Sequence, residues 1–320
     1  MSMADQVLER RNVRPILQAP ITQILPKRLE LEKVIELYKS VGRRNAEYFH
    51  WIHSVYSWIC LPCVGFECRK ALGEDKTKMM IFDVLLDDLA DNYDTRNQAL
   101  MEEFLQIPWQ GSRTKNEYLD VGNKIWEDYI GSVVGYPRFR DFEKVFYFDL
   151  RQALAAMVYS SLVNSFNLDN SVEMSIYSSH GCMVMLAVDM DLMCSPTFDV
   201  KDLGKMRRVS YLAQEVAHIG NMLVTYPGEL AERDLSCPII SLAVRKGLIE
   251  KGELGDMSVL PRIRKLEEIF KKKAESNIQK VAVYEKDILS VNIRGFSKYL
   301  AELFEKFAES ASLRYSSHSD

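Results

Sequence analysis

The sequence predicts an all-α protein, and three features support this fold class. The 320 residues include only 15 glycines and 10 prolines, fewer than turn-rich β-proteins contain. An apolar content of 47% is sufficient for a buried core in a chain of this length. Apolar residues also recur at helical spacing over long segments. We therefore expect a proline-rich N-terminal arm over residues 1–28 and a single-domain helical bundle over residues 29–320.

The first three predicted helices cover residues 29–41, 45–60 and 76–91. The first is amphipathic, with charges on one face. The second is aromatic-rich and apolar on most sides, as expected for a helix surrounded by other helices, and Pro62 and Gly65 end it. The third has the apolar content of a core helix and ends in acidic residues, which need a compensating partner.

The rest of the chain continues the helical pattern. Helices are predicted at 96–106, 114–130, 139–165, 171–193, 200–225, 238–250, 258–288 and 290–313. Only short breaks separate them, and no Gly/Ser/Pro linker or repeat of fixed period divides the chain. One continuous domain is the simplest interpretation.

Charge and hydropathy argue against two classes of partner. The chain has 41 basic and 45 acidic residues, a net charge of -4, so no basic excess is present to bind a polyphosphate backbone. Its most apolar stretch, near 55–66, is shorter than the roughly 20 residues that span a bilayer. The N-terminus lacks an apolar signal segment, and six cysteines are too few for a disulfide scaffold. We expect a cytoplasmic protein with no nucleic-acid partner and no stable membrane insertion.

The acidic end of the third helix is the first candidate site. Asp83, Asp87 and Asp91 are four residues apart and share one helical stripe, with Asp88 beside them. Like charges placed in this way repel each other, and a bound cation would offset the repulsion. Mg²⁺ prefers oxygen ligands and is commonly held by one or two carboxylates plus substrate phosphates. We therefore predict that Asp87, Asp88 and Asp91 bind metal, with a solvated acidic helix end as the alternative.

Two further signals lie downstream. Asn221, Thr225 and Glu229 form an NxxxTxxxE pattern whose oxygen-bearing side chains share one face if the segment is helical. Their amide, hydroxyl and carboxylate oxygens predict a second, weaker metal site that phosphate oxygens would complete. About 85 residues beyond Glu229, near the C-terminus, stands the pair Arg314 and Tyr315.

The DDLAD motif of residues 87–91, the NxxxTxxxE pattern and the RY pair resemble, in order and rough spacing, the class I terpene synthases of the bacterial type. The resemblance implies a helical bundle around a central apolar cavity, with three Mg²⁺ ions between the first two motifs. It also implies a C15 or C20 prenyl diphosphate substrate that loses diphosphate to leave a carbocation. That cation would be cyclised or quenched to a terpene hydrocarbon or alcohol.

The same resemblance assigns roles to residues. Asp87 and Asp91 would act in catalysis with Arg314 and Tyr315, which would also bind the diphosphate. Homodimers occur in the family, so a second copy of the chain is a further expected partner.

The sequence departs from the family pattern at several places. Met222 follows Asn221 where the family usually has Asp, although that position points away from the metal face. Pro227 interrupts the NxxxTxxxE segment, and an interior proline predicts a kink before Glu229. The family's diphosphate-sensing arginine is absent from the expected region, which reads EMSIYSSHGCMVML. Substrate contacts there are expected from Tyr177, Ser178 and Gly181, with Gly181 marking a helix break, and the candidate replacement arginines are Arg151, Arg207 and Arg208.

Apolar and aromatic side chains are expected to enclose the prenyl chain. Phe82 precedes the acidic motif and is predicted to line the cavity, and Asp83 to contact substrate. Further candidate wall residues are Met79, Trp51, Tyr56, Trp58, Tyr177 and Met183.

Two other functions remain open at this point. A prenyl chain-elongating or head-to-head synthase shares the fold, but such enzymes usually carry a second aspartate-rich motif, and only one is found. A helical binding protein with a degenerate site would explain Pro227 and the missing arginine.

Overall fold

The structure, a computed structural model, describes residues 28–90 and 96–314, and the side chains as far as residue 307. Within these ranges the chain is helical and contains no β-strand, which confirms the all-α prediction. The helices are α1 Leu31–Lys39, α2 Ala46–Trp58, α3 Arg69–Ala90, α4 Gln98–Phe104, α5 Ile107–Gln110, α6 Glu117–Val133, α7 Phe139–Phe166, α8 Ser171–Tyr177, α9 Val184–Met193, α10 Leu203–Ala231, α11 Pro238–Arg245, α12 Leu260–Arg264, α13 Glu267–Val283 and α14 Ile293–Arg314. None of them is long and apolar enough to cross a membrane.

Helix α3 lies at the centre of the bundle. It packs against α1, α2, α6, α7 and α9, and most of its residues are buried. It begins at residue 69, earlier than the predicted start at 76, and its first half buries four consecutive polar side chains. These side chains are Asp75, Lys76, Thr77 and Lys78. Burial of such groups requires partners, and Asp75, for example, accepts hydrogen bonds from Arg28 and Tyr136.

Helix α10 continues through Pro227 to Ala231, so the proline does not end the helix before Glu229. It packs against α9, α13 and α14. Proline removes one backbone donor and disfavours an isolated helix, but tertiary packing of this kind overrides that local preference. At the end of α10, Arg233 adopts a left-handed backbone (φ 59°) that turns the chain back toward α7.

The predicted helix over 171–193 is broken, as expected near Gly181. Helix α8 ends at Tyr177, a 3-10 turn covers Ser178–Cys182, and Met183 has a left-handed backbone with φ 50° before α9 begins. The break adjoins the central cavity of the bundle, since Gly181 and Cys182 line that cavity.

Candidate functional site

A cavity of about 920 Å³ opens between α2, α3, α9, α10 and α14. Exposed Lys39, Arg43 and Asn45 stand at one end, which we call the mouth. The opposite end, which we call the floor, is formed by buried residues of α3 and α9. Aromatic side chains in the wall are Tyr48, Trp51, Tyr56, Phe296 and Phe307, and aliphatic ones include Ile52, Val55, Met80, Val84, Ala187, Val188, Ala213, Ala217, Leu300 and Leu303. Ligand sites are commonly concave and largely apolar, and the walls of this cavity between the mouth and the floor are of that kind.

The predicted acidic motif lies at the mouth. Asp83, Asp87 and Asp88 all line the cavity, because they fall on the stripe of α3 that faces it. Across the opening, Asn221 and Glu229 of α10 line the same cavity. The structure therefore brings together two sets of side chains that are more than 130 residues apart in the chain.

Asp83 is the most buried acid of this group, with 4% of its surface exposed. Its Oδ1 accepts no hydrogen bond from any residue that the structure describes. Burial, followed by the nearby charge of Asp87, raises the pKa of Asp83 well above its usual value. A buried carboxylate oxygen without a donor is costly, and a cation at the mouth would remove that cost.

Arg44 bridges the two other acids of the motif. Its Nη2 donates to Asp87 Oδ2, and its Nε lies 3.4 Å from Asp88 Oδ1. Tyr38 supports the arrangement, since its hydroxyl donates to Asp88 Oδ2 (3.0 Å) and accepts from the backbone N–H of Arg44 (2.9 Å). Burial raises the pKa of the Asp88 carboxyl despite the opposing effect of Arg44. The positively charged Arg44 side chain therefore lies between Asp87 and Asp88, two of the predicted metal ligands.

The end of α10 adds acids that the sequence did not single out. Glu232 and Asp234 line the cavity together with Glu229. Burial raises the pKa of both Glu232 and Asp234, and the charge of Asp87 across the mouth adds to each shift. The mouth therefore carries six carboxyl groups and three cationic side chains among its described lining residues, a charge balance that favours a divalent cation.

Thr225 occupies a different environment from its two motif partners. It is fully buried and is not part of the cavity lining. Its hydroxyl donates to the carbonyl of Asn221, 3.0 Å away, a bond that threonine readily makes one turn back in a helix. In this side-chain conformation the Thr225 hydroxyl is directed at the helix backbone, and its role as a metal ligand stays a prediction.

Other predicted contacts lie away from the cavity. Phe82 is 1% exposed and packs in the core against Phe104 and Trp126, because its side chain projects about 100° around α3 from Asp83 and away from the cavity. Tyr177 packs on Tyr159 outside the lining, and Ser178 is likewise absent from it. Of the further wall candidates, Trp51 and Tyr56 line the cavity, whereas Met79, Trp58 and Met183 do not.

The candidate replacement arginines also lie elsewhere. Arg207 pairs with Asp149 through two hydrogen bonds of 2.5 and 2.8 Å, and Arg151 covers the ring of Trp109. Arg208 lines a separate surface depression. Arg44, which sequence reasoning missed, is the arginine beside the acidic motif. Its only sequence signal is the Arg43-Arg44 pair before an aromatic-rich helix.

Three of the predicted site residues, Asp91, Arg314 and Tyr315, lie outside the side chains that the structure describes. The backbone of α14 extends to Arg314. Along this helix Tyr299 contacts Trp58 and Phe307 contacts Trp51, so α14 runs antiparallel to α2 and its C-terminal end heads toward the mouth.

The floor of the cavity contains a buried ion pair. Lys76 Nζ lies 2.6 Å from Asp191 Oδ1, and both residues line the cavity. Their exposed fractions are 1% and 3%, so the charges are screened from solvent by the bundle. No sequence motif pointed to this pair, because its members belong to α3 and α9 and meet only in the folded chain.

Comparison with known proteins adds no family assignment. No protein-family model matches the chain. No curated protein matches its sequence at a significant level.

Proposed function

We propose that the protein is a Mg²⁺-dependent class I terpene synthase that acts on a C15 or C20 prenyl diphosphate. The observation that carries the proposal is the pairing of the DDLAD helix with Asn221 and Glu229 across the mouth of a deep apolar cavity. A diphosphate bound with metal at the mouth would leave the prenyl chain among the aromatic and aliphatic walls.

The donor set at the mouth fits Mg²⁺. Asp87, Asp88, Asn221 and Glu229 supply the carboxylate and amide oxygens that this ion prefers, and Asp83 Oδ1 is a buried oxygen that needs a partner. In the described part of the chain no three acidic, histidine or cysteine side chains converge closely enough to hold a metal by themselves. Bound Mg²⁺ supplies positive charge that stabilises the departing diphosphate.

Arg44 has the geometry of a diphosphate donor. Its guanidinium already lies at the mouth against Asp87 and Asp88, and it stays charged at any physiological pH. When phosphate oxygens arrive, Arg44 can exchange a carboxylate for them and contribute a charge-assisted hydrogen bond to the leaving group. Arg43 and Lys39 add positive potential at the entrance.

The walls between the mouth and the floor are aliphatic and aromatic, and their aromatic faces would stabilise positive charge on the hydrocarbon chain. Trp51 packs between Tyr48 and Phe307, with ring centroids 6.3 and 5.7 Å away. Each aromatic face that meets a cation contributes roughly 0.5–2 kcal/mol. The aliphatic side chains between them cannot act as nucleophiles, so a cation formed at the mouth survives long enough to rearrange.

The direct test is incubation with geranyl, farnesyl and geranylgeranyl diphosphates, with and without Mg²⁺, followed by gas chromatography and mass spectrometry. We expect a terpene product from a C15 or C20 substrate only when Mg²⁺ is present. Absence of product and of released diphosphate from all three substrates would contradict the proposal.

A chain-elongating prenyl synthase is the second candidate, and one observation favours it. Glu229, Glu232 and Asp234 form a second acidic group that faces the first across the mouth. A longer prenyl diphosphate formed on addition of isopentenyl diphosphate would support this activity instead.

A further inference from the structure

The ion pair on the cavity floor stands in an unusual place for charged groups. On α3 the cavity-facing stripe runs through Lys76, Met80, Asp83 and Asp87, at spacings of four, three and four residues. The rise of an α-helix places Lys76 about 16 Å along the axis from Asp87. The pair therefore faces the end of a bound prenyl chain that is remote from the diphosphate.

An apolar prenyl chain does not require charged side chains such as Lys76 and Asp191 beside it. A buried ion pair is costly to desolvate, and apolar residues of similar volume are often equally stable in its place. Asp191 Oδ2 accepts a hydrogen bond from the backbone N–H of Leu61 (3.0 Å), and Lys76 Nζ lies 3.4 Å from the carbonyl of Ile59. These contacts fix the loop after α2. The Lys76 ammonium also lies 5.8 Å from the centroid of the Tyr56 ring, and both side chains line the cavity. The ammonium therefore meets the cavity with an N–H beyond those directed at Asp191 and Ile59.

A second lysine pair on the same helix provides an internal comparison. Lys78 Nζ lies 2.5 Å from Asp128 Oδ2 and donates to the carbonyl of Leu29 at 2.7 Å. The backbone N–H of Leu29 also donates to Asp128 (2.8 Å), so this pair ties the start of the described chain to α3 and α6. Neither Lys78 nor Asp128 lines the cavity. Both pairs secure a loop, and only the Lys76 pair also faces the ligand.

We propose that Lys76 and Asp191 hold a water molecule at the floor of the cavity and that this water captures the carbocation, so that the product is a terpene alcohol. The inference rests on the proposed terpene synthase function. A water inside an apolar cavity needs two or more polar partners, and the Lys76 ammonium and the Asp191 carboxylate are the charged groups at the floor.

The capture step is balanced in atoms and charge. The water oxygen forms a bond to the cationic carbon, and one water proton passes to the Asp191 carboxylate. The neutral alcohol leaves, and Asp191 returns the proton to solvent before the next turnover. Lys76 positions the water by hydrogen bonding, and its charge is balanced by Asp191 until the proton is transferred.

The test measures oxygen incorporation in H₂¹⁸O with the full-length protein and farnesyl or geranylgeranyl diphosphate. The wild type is expected to give an alcohol with one ¹⁸O atom on a carbon other than the one that lost diphosphate. In K76M/D191L, the hydroxylated product per diphosphate released should fall at least tenfold, with hydrocarbons in its place. The matched control K78M/D128L should keep the wild-type alcohol fraction.

A second variant tests the inference if K76M/D191L does not fold. Ala187 lines the cavity one helical turn before Asp191, so A187L would fill the space beside the pair without removing either charge. The same fall in alcohol is expected.

Two results would overturn the inference alone: diphosphate release by the wild type with only hydrocarbon products, or an unchanged alcohol fraction in the floor variants. Absence of any diphosphate release by the wild type would overturn the proposed function, and the inference with it.

Discussion

Asp83 combines a buried carboxylate with a close acidic neighbour, and both conditions favour its protonated form. The raised pKa means that the folded chain binds a proton more tightly than the unfolded chain does. The free energy of unfolding should therefore fall as the pH rises from the unfolded pKa, about 3.9, through the raised value. In the absence of ligand, the ionised site is thus a source of instability at neutral pH.

The Asp83→Asn substitution should raise the melting temperature at pH 7–8 in metal-free buffer, because it removes this charge. The shift should be about 2–4 °C for each kcal/mol of relieved repulsion. The same variant should gain less stability than the wild type from Mg²⁺ with diphosphate. Glu74→Gln, on the same helix but outside the cavity lining, is the matched control for scanning calorimetry. A lower melting temperature for Asp83→Asn, with unchanged response to ligand, would contradict this account.

Arg44→Gln tests the assignment of the diphosphate donor. A charge-assisted hydrogen bond contributes about 1.5–3 kcal/mol, so the Kd of inorganic diphosphate with Mg²⁺ should rise at least tenfold in titration calorimetry. Arg151→Gln removes an arginine that packs on Trp109 outside the cavity and should leave this Kd unchanged. Equal affinities of wild type and Arg44→Gln would show that Arg44 serves only to pair with the aspartates.

Single residues differ in how far the sequence could predict them. Helical spacing correctly placed Asp83, Asp87 and Asp88 on one wall, because their relation is set within one helix. Arg44 lies 43 residues before Asp87, and its contact depends on how α2 packs on α3, which no local pattern encodes. Phe82 was misplaced because adjacent helical positions point in directions about 100° apart, and the spacing alone did not identify the cavity face.

At the scale of elements, the packing of α10 on α14 positions the second wall of the mouth. Gly220 of α10 contacts Phe307 of α14 so closely that an added Cβ would lie 2.4 Å from the ring. Phe307 lines the cavity, and Asn221 is the next residue after Gly220. Backbone proximity at this glycine therefore couples helix packing to the shape of the site.

Gly220→Ala should destabilise the protein by about 1–3 kcal/mol, because the ring and α14 must shift to admit the methyl group. Gly204 lies on the same helix with open space around its Cα, so Gly204→Ala should be neutral or stabilising by up to about 1 kcal/mol. Urea unfolding of the two variants measures the difference. Equal free energies of unfolding would contradict the close approach of α10 and α14.

Element boundaries show where local sequence rules were sufficient. The break before α9 was expected from Gly181, and the structure has it, although Met183 rather than glycine takes the left-handed backbone. Pro227 predicted a kink before Glu229, and α10 nevertheless continues as a helix to Ala231, with both Asn221 and Glu229 lining the cavity. Packing of α10 against three helices compensates for one missing backbone hydrogen bond, and such compensation is not visible in sequence.

At the scale of the whole molecule, the cavity is polar at both ends and apolar between them. The mouth has an excess of carboxyl groups, whereas the Lys76–Asp191 pair at the floor is neutral overall. Composition predicted a helical chain with a large core, but neither the volume of the cavity nor the charges at its floor, since both depend on the arrangement of five helices.

Mg²⁺ and diphosphate should stabilise the folded chain together, because each completes the binding site for the other. At a ligand concentration 100 times Kd the gain is about 2.7 kcal/mol, which thermal melting detects readily. Either component alone should give a much smaller shift. Absence of any shift with the combination would contradict the proposed joint site.

The most direct test of the central claim is the rate of diphosphate release from farnesyl and geranylgeranyl diphosphates by wild type and Asp87→Ala, with and without Mg²⁺. The account predicts Mg²⁺-dependent release by the wild type and loss of release in Asp87→Ala, with the helical content of the variant unchanged in circular dichroism. Full release by Asp87→Ala, or no release by the wild type with either substrate, would contradict it.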